Sequence, residues 1–262
     1  MKTYRTLALV LLAAALVPAL AGATPHPNSA VFHTRIFNDC PTSILTTSNN
    51  YPAELWIDDA EVNCYGYANL HNWHFSENGV DDVDFPNNSA FRFGMDMVIS
   101  GTGDAEAGLQ IAPWWSQNVD GRFNFRTTDG EIACFGGRLP FYSFTGQQGL
   151  TYVKGTTVHV EMIYRANDLN ELNPGTIEYN LTMDNQFYTS GALPFDMGNP
   201  NEPYGIYGIL DNARVGGYMQ DFLGNGEPFN SRTTWSNIEF EVLDDPTATM
   251  STTWGRVKGL FH

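Results

Sequence analysis

Alternation with a period of two runs through much of this chain and constrains its fold more than any other feature. In AFRFGMDMVIS (90–100), Phe91, Phe93, Met95, Met97 and Ile99 fall on one side, and Arg92 and Asp96 on the other. In TTVHVEMIYRAN (156–167), Val158, Val160, Met162 and Tyr164 oppose His159, Glu161 and Arg165. In TIEYNLTM (176–183), Ile177, Tyr179, Leu181 and Met183 oppose Glu178, Asn180 and Thr182. A β-strand sends successive side chains to opposite faces, so each run has one flank to bury and one to wet. Two antiparallel sheets packed together satisfy all of them at once.

Turn chemistry fits the same plan. Asp129-Gly130 separates RFNFRTT from EIACF and suits a tight hairpin, while Asp184-Asn185 tolerates left-handed backbone between two further strands. The pattern predicts strands near 30–37, 54–57, 70–75, 90–99, 107–113, 121–127, 131–136, 139–144, 157–165, 176–183, 186–190, 204–210 and 234–243. Helical periodicity is absent before the C-terminus.

The ends read differently. Lys2 and Arg5 precede an apolar run closed by Ala21-Gly22-Ala23, the pattern of a secretory signal over 1–23. The expectation is an exported chain, at the cell surface or outside it, with no membrane span once the signal is removed. A β-sandwich is expected over 24–243, then an acidic linker and short tail over 244–262. In that tail Trp254, Val257 and Phe261 have helical spacing.

The formal net charge is −16, and removing Lys2 and Arg5 makes it −16 − 2 = −18. Such a field disfavours nucleic acid and anionic membranes. Three cysteines, Cys40, Cys64 and Cys134, allow one disulfide in any of three pairings, of which Cys40–Cys64 closes the shortest loop.

The run AFRFGMDMVISGTGDAEAGLQIAPWW, the hairpin GRFNFRTTDGEIACFGG, the strand GTTVHVEMIYRAN, the hairpin GTIEYNLTMDNQFYTSGALPF and the closing TTWSNIEFEVL together resemble the concanavalin A-like lectin/glucanase superfamily. The resemblance implies an all-β jelly-roll sandwich of two curved antiparallel sheets, in a superfamily that holds lectins, hydrolases, lyases and adhesion modules. Its retaining glucanases place paired acids on one strand. The nearest match, ELWIDDAE, spaces Glu54, Asp58 and Glu61 wrongly for that role. Its alginate lyases carry Gln-Ile-His, and here Gln110-Ile111 is followed by Ala112.

Three constellations remain. His159, Glu161 and Arg126 are the catalytic candidates, provided their strands adjoin in one groove. Trp114, Trp115 and Tyr142 offer stacking surfaces for sugars, with Asn124, Arg126, Glu178 and Asn180 as polar ligand contacts. Asp81, Asp82 and Asp84 supply hard oxygens that suit calcium, although no cofactor is required by any motif. Trp56, Trp73 and Trp235 read as packing residues. Asn87 and Asn180 begin Asn-x-Ser/Thr triplets that fit N-glycosylation. The reading that follows is a non-catalytic carbohydrate-binding or adhesion sandwich whose partner is a glycan or cell-envelope component. The alternative is a polysaccharide lyase or glycoside hydrolase.

Overall fold

The computed structural model describes residues 24–61, 64–112, 121–136, 139–195, 207–221 and 228–243. The expected signal at 1–23, the tail at 244–262, and Trp114 and Trp115 lie outside them.

Two seven-stranded sheets build a sandwich. The first contains β1 (Ser29–Phe37), β4 (Leu70–Ser76), β6 (Ala105–Ala112), β7 (Gly121–Arg126), β8 (Ile132–Gly136), β9 (Tyr142–Ser143) and β13 (Arg214–Asp221). The second contains β2 (Ile44–Asn50), β3 (Glu54–Glu61), β5 (Ala90–Gly101), β10 (Val158–Arg165), β11 (Thr176–Met183), β12 (Gln186–Pro194) and β14 (Phe229–Val242). Strand order is β1-β4-β13-β6-β7-β8-β9 in the first and β12-β11-β10-β5-β14-β3-β2 in the second. Every pairing is antiparallel.

The alternation predicts the faces correctly. Phe93, Val160 and Leu181 are fully buried in one interior. Phe75 of the first sheet meets Phe93 of the second edge-on at 5.8 Å, and Trp73 meets Trp235 at 6.0 Å. Each such side chain contributes about 1.5–3 kcal/mol of transfer energy, so this layer holds the two sheets together.

The strands depart from expectation in four places. The expected strand at 139–144 is only Tyr142–Ser143, because Ser143 caps a short helix, α1 (Phe144–Gln148). Its hydroxyl accepts from the Gly146 N–H at 2.8 Å, and Gly149 at φ 70° closes the turn. No strand occupies the described part of 204–210; the strand there is β13, further along the chain. Its Gly216-Gly217 looks like a breaker, but a Cβ at Gly217 would lie 2.5 Å from the Trp73 indole nitrogen. Packing against the tryptophan demands glycine there. The unexpected strand β2 is an edge strand with mostly exposed polar residues, so it lacks an apolar alternation to read.

Cys40 and Cys64 form the disulfide, tying the segment after β1 to the one before β4. Cys134 is a free thiol in the core, and burial pushes its pKa well up. Among the described residues no helix is long and apolar enough to cross a membrane.

Candidate functional site

The polar residues divide between two outer faces pointing in opposite directions. His159, Glu161, Glu178 and Asn180 lie on the second sheet, on adjacent strands β10 and β11. There Arg92 pairs with Glu161, with Glu239 at 3.1 Å and with Glu241 at 3.1 Å. Asn180 donates to Glu161 Oε1 at 2.8 Å, His159 Nδ1 faces Asp96 Oδ1 at 2.8 Å, and Glu178 accepts from Thr189 at 3.0 Å. This is a cross-strand ionic network in which the charged groups pair with one another, while Oδ1 of Asn180 is buried without a partner. Its Asn180 is almost fully buried, with its amide nitrogen already engaged.

Arg126 and Asn124 belong to β7 in the other sheet. The expected groove of His159, Glu161 and Arg126 is therefore not formed, since the hydrophobic layer separates Arg126 from the other two. Arg126 instead braces its own hairpin, pairing with Asp129 at 2.5 Å and Glu131 at 2.8 Å. That contact holds the Asp129 carboxyl down at about 2.

The outer face of the first sheet is built in registered rows. One row runs His33, Asn72, Tyr218, Gly108, Asn124; the next runs Val31, His74, Gly216, Gln110, Arg122; a third holds Gln220, Glu106 and Arg126. Gly108 carries no side chain between its neighbours, where a Cβ would collide with the Phe123 carbonyl, and the Tyr218 hydroxyl reaches over β6 to donate to Asn124 Oδ1 at 2.5 Å. The Arg122 guanidinium sits 4.5 Å above the Tyr218 ring and donates to Glu106 at 3.1 Å and Gln220 at 3.3 Å. Burial pushes the Glu106 carboxyl up, against the opposing pull of Arg122 and Arg126.

Several of these polar groups are buried and lack protein partners. Both amide atoms of Asn72 and of Gln110, Nδ2 of Asn124 and Nε2 of His74 are all in that condition. A buried amide without a partner costs about 1–3 kcal/mol. These groups lie in adjoining rows of one face, and further unpartnered buried atoms occur elsewhere, Asn180 Oδ1 on the second sheet among them.

No family model matches the chain, and no curated protein does. Among solved structures it is similar to a Lotus tetragonolobus seed lectin, at 12% identity and TM-score 0.42, over 79% of this chain and 96% of that one. It is similar to alginate lyase A1-II′ at 8% identity and TM-score 0.44, over 75% and 83%. A third is the GH131 β-glucanase catalytic domain from Podospora anserina, at 9% identity and TM-score 0.43, over 84% and 86%. No activity passes to this chain from likenesses of this degree.

Other expected contacts are revised. Tyr142 is not an open platform: it packs edge-on against Phe144 at 4.8 Å and receives a hydrogen bond from Gln148. Trp73 and Trp235 are core residues, whereas Trp56 lies half-buried under the Arg232 guanidinium at 4.2 Å. The acidic loop does not converge. Asp81 accepts from Asn78 at 3.1 Å, Asp84 pairs with Arg214 at 3.2 Å, and Asp82 turns to His33 and His74. The expected set of Asp81, Asp82 and Asp84 is thus no common ligand cage.

Glu106, Arg122, His74, Asn72 and Tyr218 were not singled out from sequence as ligand contacts. For β6 the signal was present, because Glu106, Gly108 and Gln110 alternate against Ala107, Leu109 and Ile111. A further polar cluster has a structural role. Inside the sandwich, His71 Nδ1 accepts from the Arg35 N–H at 2.9 Å while Nε2 faces Asp59 Oδ2 at 3.1 Å, tying β4 to β3.

Proposed function

We propose that this chain is an exported β-sandwich that binds a neutral glycan on the polar face of its first sheet. The observation that carries the reading is a set of buried amide atoms without protein partners on one face, both of Asn72, both of Gln110 and the nitrogen of Asn124. A primary amide offers a donor and an acceptor side by side, the same pairing that vicinal sugar hydroxyls present. Arg122 and Arg126 are offset by Glu106, Asp129 and Glu131, so the face itself favours an uncharged ligand. The chain-wide charge disfavours a polyanion as well. A disulfide in the described core accords with export.

The test is a glycan array on the mature chain with titration of each hit. Binding lost in Gln110→Ala and Asn124→Ala but retained in His159→Ala, on the opposite sheet, supports the reading. A wild-type chain that binds no glycan on a broad array sinks it.

A second reading is favoured by Glu106. A carboxyl raised by burial can hold and deliver a proton, as a general acid in glycoside hydrolysis or glycan elimination must. Reducing-sugar and unsaturated-product assays with wild type and Glu106→Gln separate it from binding alone.

A further inference from the structure

We propose that His33, His74 and Asp82 form a binding site for a divalent first-row transition ion of the zinc class, at the β1 edge of the first sheet. The two histidines come from neighbouring strands: His33 pairs in register with Asn72, and His74 stands two residues along the same face of β4. Their rings lie 4.9 Å apart. The chain after β4 turns back on itself, with the Ser76 hydroxyl donating to the Asp81 carbonyl at 2.6 Å and the Val83 N–H donating to the Phe75 carbonyl at 3.1 Å. That turn lays the Asp82 carboxylate between the two imidazoles.

One carboxylate oxygen lies 2.6 Å from His33 Nε2 and the other 3.2 Å from His74 Nδ1. One ligand atom from each residue lies within 4.8 Å of the others. Bonds of about 2.0–2.2 Å in tetrahedral array place ligand atoms about 3.4 Å apart, so Asp82 would move away from His33 by less than about 1 Å, and any pair at the 4.8 Å limit would close by about 1.4 Å.

The donor set selects the ion. Two imidazole nitrogens and one carboxylate suit zinc and its neighbours, while calcium takes oxygen ligands only in ordinary sites. His74 is almost wholly buried, which fixes its ring in place beside Asp82. His33 remains about a third exposed, which leaves a route for the ion. A cavity of about 470 Å³ lined by Phe32, His33, Thr34, Arg35, Ile36 and His74 provides room for a water or ligand at the fourth position. Arg214 lies 3.3 Å from Asp82 and 3.2 Å from Asp84, so Asp84 retains that guanidinium when Asp82 turns to a metal.

The experiment is calorimetric titration of the whole chain with Zn²⁺, with Ca²⁺ in parallel, alongside His33→Ala, His33→Gln, Asp82→Asn and a His159→Ala control. The expected result is one Zn²⁺ per chain, no competition from Ca²⁺, and at least about tenfold weaker binding in each site variant, with the control unchanged. The intense visible spectrum of tetrahedral Co²⁺ should appear in wild type and vanish in His33→Gln. Absence of Zn²⁺ binding by the folded wild-type chain overturns the proposal. So does equal affinity in His33→Gln and wild type, which assigns the ion elsewhere. Glycan binding is read separately and neither outcome depends on it.

Discussion

Tyr218 and Asn124 sit on strands separated by β6, yet the tyrosine hydroxyl meets the asparagine carbonyl oxygen at 2.5 Å. Glycine at position 108 of the intervening strand makes that reach possible. Tyr218→Phe removes the donor and leaves a buried acceptor unmet, so the folded state should lose about 1–3 kcal/mol. Urea midpoints of the two proteins measure it, and an unchanged midpoint refutes the assigned bond.

Gly217→Ala drives a methyl group to 2.5 Å from the Trp73 indole nitrogen and 3.0 Å from that of Trp235. Overpacking of this kind costs about 1–3 kcal/mol. A drop in melting temperature should accompany a change in tryptophan fluorescence, the two indoles being fully buried.

The disulfide closes a loop with a sequence separation of 24, for which chain-entropy arguments give about 3 kcal/mol. Cys40→Ser with Cys64→Ser should lower stability by about that amount. Cys134 should resist a thiol reagent in the native chain and react once the chain is unfolded. Rapid labelling of native wild type would contradict its burial.

Acid should weaken the fold in two stages. Burial pushes the His74 pKa down, so the folded chain resists taking that proton; His74 favours folding above its unfolded pKa of about 6.5 and costs stability below it. Burial alone would raise the Asp82 and Asp59 carboxyls, but hydrogen bonds from His33 and His74 to Asp82, and from His71 and Asn69 to Asp59, outweigh it and hold both low. Their contribution is present above about pH 4 and disappears as pH falls through the folded values. Denaturant midpoints should decline gently from about pH 7 and steeply below about pH 4, with the lower limb flattened in Asp82→Asn. A profile flat down to about pH 5 excludes the His74 effect.

The faces were legible in the sequence because burial enforces period two: Phe93 and Arg92 cannot exchange sides without inverting a strand. Which sheet a strand joins was not legible. His159 and Arg126 have equivalent patterns, but long crossovers send β7 and β10 to opposite sheets, and no local residue records that choice. The Gly216-Gly217 pair hid β13, and with it Tyr218, because it reports a tryptophan distant in sequence rather than local preference. In sequence the acidic loop offers only oxygen ligands, whereas in the fold Asp82 meets histidines supplied by β1 and β4, a convergence that only the pairing of those strands creates.

Because the rows carrying Gln110 and Glu161 point away from each other across the layer of Phe93, Val160 and Leu181, the molecule has two independent exteriors. Residues on one can be rewritten for a new recognition task while the other keeps its chemistry, with the aromatic interior as insulation.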